Sequence, residues 1–191
     1  MLRPLASTAN IFVALLRGVN VGGNNLINMK SLKTSFEKMG FKDVTTYINS
    51  GNIIFKTRER DGRKLETKIE LMLSREHKLE CRVVVRSFSE MAKLVESLPA
   101  NWDGDKGWKH NVIFLRHSID SESVVEALAP KNDIETVVYR PGTLLWSARL
   151  SDMSRTSMQK LSSRKIFQEM TVRNPNTTRK LYELMKQMSQ A

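Results

Sequence analysis

Residues 11–23 read IFVALLRGVNVGG, and this stretch decides the fold. Six consecutive apolar residues bounded by a turn form a short β-strand. A strand open to water on one face would alternate apolar and polar residues, so this one is covered on both faces. The turn that follows is rich in glycine. Met29, Leu32, Phe36 and Met39 then recur at helical spacing until Gly40 supplies the stop. The chain opens strand, glycine turn, helix.

Residues 44–48 and 52–55 flank Asn49-Ser50-Gly51 and form a hairpin. Leu65, Ile69, Met72 and Leu73 mark a second amphipathic helix, and residues 82–86, with three valines inside, close the unit as a strand. This βαββαβ order is the ferredoxin-like arrangement. Ser87-Phe88-Ser89-Glu90 has the pattern of a capping box, starting a short helix that Pro99 ends. A Gly- and Asp-rich stretch carrying Trp102 and Trp108 then separates the halves.

The second half repeats the order. It has a strand over 112–115, a helix ending before Pro130, and a hairpin about Arg140-Pro141-Gly142. A helix is expected over 154–161 and a strand near 167–172. The last helix has Asn174 as N-cap and Pro175 at its first position. No repeat is evident residue by residue, so the duplication rests on element order alone.

The expected fold class is α+β: two ferredoxin-like βαββαβ halves with mostly antiparallel sheets, a joining helix and a C-terminal helix. The expected divisions are a disordered leader (1–9), the first half (10–86), the joining helix and loop (87–109), and the second half with its terminal helix (110–191). Helices cover one face of a ferredoxin-like sheet. Because IFVALL, NIIF, VIFL and TLLW are apolar at consecutive positions, the other face must also be covered. Either the two sheets pack together, or a joining or terminal helix lies on them.

Composition narrows the function classes. The chain has 191 residues, 40% of them hydrophobic, and a formal net charge of +11. The charge is uneven: residues 1–86 carry 16 Lys/Arg against 8 Asp/Glu, residues 87–139 carry 5 against 9, and residues 140–191 carry 10 against 3. A basic face for phosphorylated ligands or nucleic acid is compatible with this, as is a scatter of surface lysines. No apolar run approaches bilayer-spanning length, and the N-terminus lacks the apolar core of a signal peptide. The single cysteine, Cys81, excludes an intramolecular disulfide framework and suits a reducing, cytoplasmic setting. A monomer or weak dimer without membrane association is expected.

Arg17, Gly18, Asn20, Gly22 and Gly23, with Lys30 on the next helix, have the makings of an anion site. Glycines let backbone N–H groups approach a ligand, and the cations supply charge-assisted bonds. The spacing matches neither the dinucleotide G-x-G-x-x-G nor a P-loop. A tight connection needing positive φ explains the same glycines. Ser50, Gly51 and Asn52 read either as hairpin geometry or as groups offered to a substrate. Asn174 reads as a cap, which leaves Arg173 as an unexplained cation. His77, His110, His117 and Cys81 show no metal-ligand spacing, so no metal and no cofactor is expected. Cys81 reads as packing, as do Trp102 and Trp108. The charged run from Arg58 to Lys64 reads as a solvated turn and helix start.

At ALLRGVNVGGNNLINMKSL, TYINSGNIIF and TVRNPNT the sequence resembles a bacterial family described only as a domain of unknown function, DUF1697. The resemblance runs from about Ile11 to about Met185. It implies two ferredoxin-like halves. It also implies that Arg17, Gly18, Asn20, Gly22, Gly23, Ser50, Gly51, Asn52, Thr171, Arg173, Asn174 and Thr177 are signature positions. The family pattern usually has Trp after the Arg-Asn pair, where this chain has Pro175. Three functions stay open. One is a binding protein for a phosphate-bearing small molecule or nucleic acid through a basic cleft. The others are an enzyme acting on a small anionic substrate, and a structural or interaction module. Exposed-sheet RNA binding is disfavoured, because it needs aromatics on strands that are here apolar on both faces.

Overall fold

The computed structural model describes residues 9–20, 25–161 and 164–190. The leader expected over 1–9 thus lies outside the described residues except for Ala9. In the first half, β1 (Asn10–Leu16) leads through the glycine turn to α1 (Met29–Lys38). Then come β2 (Lys42–Tyr47), β3 (Asn52–Thr57), α2 (Gly62–His77), β4 (Val83–Ser87) and α3 (Phe88–Ser97). The second half follows as β5 (Trp108–Leu115), α4 (Ser123–Leu128), β6 (Glu135–Arg140), β7 (Thr143–Arg149), α5 (Met158–Leu161), β8 (Met170–Arg173) and α6 (Pro175–Gln190). The two sheets have strand orders β2-β3-β1-β4 and β6-β7-β5-β8, antiparallel throughout. Each is the ferredoxin-like order.

Alternate residues of β1 serve two cores, which is why the strand is apolar at every position. Phe12, Ala14 and Leu16 pack with Leu32 and Phe36 of α1 and with Leu65, Ile69 and Leu73 of α2. Ile11, Val13 and Leu15 face the other way, into a central cluster. There they meet Met91 and Leu94 of α3, Leu181 and Met185 of α6, and Val112, Phe114 and Leu145 of the second sheet. Both expected covers are therefore used at once. The third cluster, around the fully buried Trp146, sits beneath α4 and α5.

Local chemistry fixes the helix starts. Asn28 Oδ1 accepts from the N–H groups of Lys30 (2.9 Å) and Ser31 (3.1 Å) to cap α1. Ser87 and Glu90 form the expected capping box at α3, and Asn174 Oδ1 accepts from Thr177 N at 2.7 Å to cap α6. The expected helix over 154–161 differs in the structure: a 3-10 turn covers Leu150–Arg155, and α5 holds only four residues. Likewise a 3-10 turn over Lys165–Glu169 precedes β8, which is shorter than expected. Trp102 packs on the central cluster and stacks on His110 at 4.7 Å.

The two halves share a pattern of backbone hydrogen bonds at corresponding places. Leu16 N bonds Gly51 O (2.8 Å) as Leu115 N bonds Gly142 O (3.0 Å), and Arg17 N bonds Arg82 O (3.0 Å) as Arg116 N bonds Glu169 O (3.0 Å). These pairs align VALLR with VIFLR, GNIIF with GTLLW, and VRS with VRN. By the same alignment α3 is the counterpart of α6. The halves are related by a pseudo-twofold axis, with α2 of sixteen residues opposite α5 of four.

Candidate functional site

Arg173 closes β8 with its side chain buried at 8% exposure. Its planar fork reaches across the axis into the first half. Nε donates to Asn52 Oδ1 (2.6 Å), and Nη2 donates to Leu16 O (3.0 Å) and Ser50 O (3.1 Å). Nη1 donates to Thr171 Oγ1 (2.9 Å) and Val172 O (2.9 Å). Five N–H groups thus meet acceptors. Burial draws its pKa down to about 10, which leaves it charged at neutral pH. Arg86 makes the reciprocal crossing: it donates to Val85 O, to Leu115 O and to Gly142 O. Where Asn52 receives Nε of Arg173, the hydroxyl of the counterpart Thr143 has no hydrogen-bond partner, and neither does Nε of Arg86.

These crossings place the expected site residues. Gly51 has φ +70°, and a Cβ there would lie 2.7 Å from Leu16 Cβ, so the turn needs glycine at this position. Asn52 also donates to Tyr47 O (3.1 Å) and Ser50 Oγ (3.1 Å). Asn20, itself at φ 55°, ties the glycine turn to the hairpin: Nδ2 donates to Asn49 O (2.8 Å) and Ile27 O (3.1 Å), while Oδ1 accepts from Ile27 N (2.8 Å). Gly18 O accepts from Asn25 Nδ2 at 3.2 Å. Gly22 and Gly23 lie outside the described residues. Lys30 stands exposed on the first turn of α1, and Asn174 is occupied in capping α6. Gly18, Asn20, Ser50, Gly51, Asn52 and Arg173 come together behind the end of β1.

Arg17 points elsewhere. Its Nε donates to Phe167 O (3.1 Å) and its guanidinium lies 4.8 Å over the Phe167 ring. Beyond it opens a cleft of about 490 Å³ lined by Arg17, Asn25, Glu70, Glu80, Cys81, Arg82 and Gln168. It lies where the start of β4 meets the segment before β8. Arg82 is spent on Glu70 (3.2 Å) and Glu169 (3.1 Å). The Nη groups of Arg17 have no protein partner among the described residues. Its pseudo-twofold counterpart Arg116 is instead clamped by Glu70 (3.2 Å) and Glu169 (2.5 Å). The repeat acts as an internal control: one arginine is neutralised, and the equivalent one faces an open cleft.

Glu70, Glu80, Cys81, Arg82 and Gln168 carry no sequence signal for this cleft. They come from a helix flank and strand approaches that meet only through the twofold. Burial pushes the Cys81 thiol up to about 11, and it donates to Arg17 O (3.3 Å), so it faces the cleft as a neutral group. A larger groove of about 780 Å³ runs between α1, β2 and α6. Its charges are paired among themselves, Lys56 with Asp43 (2.8 Å) and Lys33 with Glu37 (3.8 Å). Among the described residues no cluster of His, Cys, Asp or Glu could hold a metal ion, and no helix is long and apolar enough to cross a membrane.

Residues 10–146 match the family described as "Protein of unknown function (DUF1697)". The chain belongs to this family. The DUF1697 match takes in the glycine turn and the Ser50–Asn52 hairpin, while the TVRNPNT motif lies beyond its end. Among solved structures, the conserved bacterial protein SP0830 from Streptococcus pneumoniae is similar, with TM-score 0.80 and 24% identity. The similarity covers 93% of this chain and 99% of that one. At that identity the likeness concerns the fold. No curated protein sequence matches the chain.

Proposed function

We propose that this DUF1697 member binds a small phosphate-bearing molecule in the cleft beside Arg17, in the cytoplasm. The observation that carries the reading is the contrast between the paired arginines. Arg116 is clamped by two carboxylates, and Arg17 keeps its Nη edge for an incoming anion. A cleft of about 490 Å³ suits a metabolite-sized ligand. Phe167 fixes the plane of the Arg17 guanidinium, which favours bidentate pairing with phosphate oxygens. Asn25 and Gln168 supply amides, and the protonated Cys81 supplies a weak donor. Glu80 turns ligands with a second anionic end away and favours those with a neutral or cationic one. In this reading Arg173, Asn52 and Gly51 shape the wall behind Arg17 rather than touch the ligand. The residues lining the cleft include no histidine, and its cysteine is held as a neutral thiol. Imidazole and thiolate chemistry are therefore disfavoured in this cleft.

The test is a thermal-shift screen of nucleotides and phosphorylated metabolites, followed by calorimetry on hits. A selective hit at a hundredfold excess over Kd stabilises by about 2.7 kcal/mol and is lost in Arg17→Ala. If no compound shifts the melting point, or if Arg17→Ala binds the hit as well as the parent does, the reading is wrong.

A further inference from the structure

A second, separate surface concerns nucleic acid and does not depend on the Arg17 cleft. The buried face of α2 is complete: Leu65, Glu66, Ile69, Met72 and Leu73 are buried against the first sheet. The opposite face carries Arg63, Lys64, Thr67, Lys68, Leu71, Ser74 and Arg75, and Lys78 at the C-cap continues it. Residues spaced by three, four and seven along a helix share one side, so these form a single stripe. All five of its cations are exposed. Both acidic residues in the middle of the helix point away, since Glu66 meets Arg86, Arg116 and His117, and Glu70 meets Arg82 and Arg116. Lys68 donates to Met39 O (3.3 Å) and lies over Phe41. Arg63, Arg75 and Lys78 form no ion pair with a carboxylate among the described residues; Lys64 lies near enough to Glu59 to help lower its pKa, and at the C-terminal end Ser74 donates to Glu80 (2.5 Å).

We propose that this stripe binds the phosphate backbone of duplex nucleic acid without regard to sequence. From Arg63 to Lys78 the helix rises about 22 Å at 1.5 Å per residue, a length over which its five cations can meet phosphates of both strands across a groove. The face carries no aromatic residue, so it offers nothing on which unpaired bases stack. An anionic membrane fits less well. Surface-bound helices sink an apolar face into the lipid, whereas the apolar face of α2 is committed to the core and only Leu71, 47% exposed, projects from the stripe. An acidic protein partner fits less well, because Leu71 is a single apolar anchor in a face otherwise polar and charged.

The experiment measures fluorescence anisotropy of a labelled 16-base-pair DNA duplex, and of an RNA duplex of the same length, with the full chain between 50 and 300 mM KCl. The intact protein binds with a slope of log K against log salt of about −4, near −0.9 per neutralised phosphate. The triple substitution Lys64→Gln, Arg75→Gln, Lys78→Gln flattens that slope by about 3 and weakens binding roughly tenfold or more at 100 mM salt. A control with the same change in net charge, Lys93→Gln, Lys106→Gln, Lys109→Gln, retains the slope and the affinity within a factor of two or so. Equal losses in both variants would assign the binding to net charge and overturn the proposal. Absence of binding at 50 mM salt would overturn it, and so would binding to phosphatidylserine vesicles but not to either duplex.

Discussion

Replacing Arg173 by methionine keeps the length of the side chain and removes its five donors. In the folded protein Asn52 Oδ1, Ser50 O and Leu16 O then lose a charged partner at 2.6 to 3.1 Å, with Asn52 and Leu16 fully buried and Ser50 half-buried. A buried acceptor left unpaired costs about 1–3 kcal/mol. Three such groups, partly relieved because a charge is no longer buried, give about 3–5 kcal/mol. For a chain of this size the urea m-value is about 2.5 kcal/mol/M, so the unfolding midpoint falls by about 1.5 M. Trp102, Trp108 and Trp146 report the transition by fluorescence. Arg173→Lys recovers at most part of the loss, because three tetrahedral donors cannot reproduce the planar fork. A double-mutant cycle with Asn52→Ala returns a coupling of about 1–3 kcal/mol. A midpoint shift below about 0.4 M for Arg173→Met, or a coupling near zero, refutes the crossed-arginine account.

Two further outcomes follow from the same geometry. Gly51→Ala places a Cβ 2.7 Å from Leu16 Cβ at φ +70° and costs about 2–4 kcal/mol, whereas Gly40→Ala, at φ +89° with nothing within 4 Å, costs about 1–2 kcal/mol. Urea midpoints of the two variants decide this, and equal shifts would show that contact with Leu16 is irrelevant. Cys81, its thiol raised to about 11 by burial, holds roughly one thiolate in a thousand at pH 8, against about a quarter for an ordinary cysteine. Native-state reaction with a disulfide reagent is therefore at least about a hundredfold slower than after unfolding, and it accelerates tenfold per pH unit up to about pH 10. A native rate within tenfold of the unfolded one would place the thiol in water.

Most of the frame was legible along the chain because it rests on local chemistry. Consecutive apolar residues in IFVALL required cover on both faces, and two cores supply it. Ser87, Glu90 and Asn174 announced helix starts through capping that spans three residues. The crossings were not legible, since Arg173 meets Ser50 and Asn52 across more than 120 positions. A valine-arginine pair at the end of a strand says nothing about where the guanidinium goes. The repeat itself was present as VALLR and VIFLR. With so few matched residues spread over residues 13–87 and 112–174, it is visible only through the shared hydrogen bonds. The helix expected over 154–161 gave way to 3-10 turns because the third core, under Trp146, is covered by short segments rather than one long helix. Arg17 was singled out for its place beside glycines. Its distinction from Arg116 came from carboxylates on α2 and before β8, which no spacing rule connects.

The reciprocal crossing of Arg86 and Arg173 has the symmetry of an isologous contact, the kind made when two identical subunits meet about a true twofold. Here one chain supplies both partners. The last strand of each half carries a guanidinium that donates to carbonyls of the other, so each hairpin turn is completed by a donor from across the axis. A chain severed in the loop between α3 and β5 should yield two fragments that fold only on meeting. Within one chain the two halves need not stay alike: the first has a second helix of sixteen residues and the second one of four, and only the second has the arginine after its first strand paired with carboxylates.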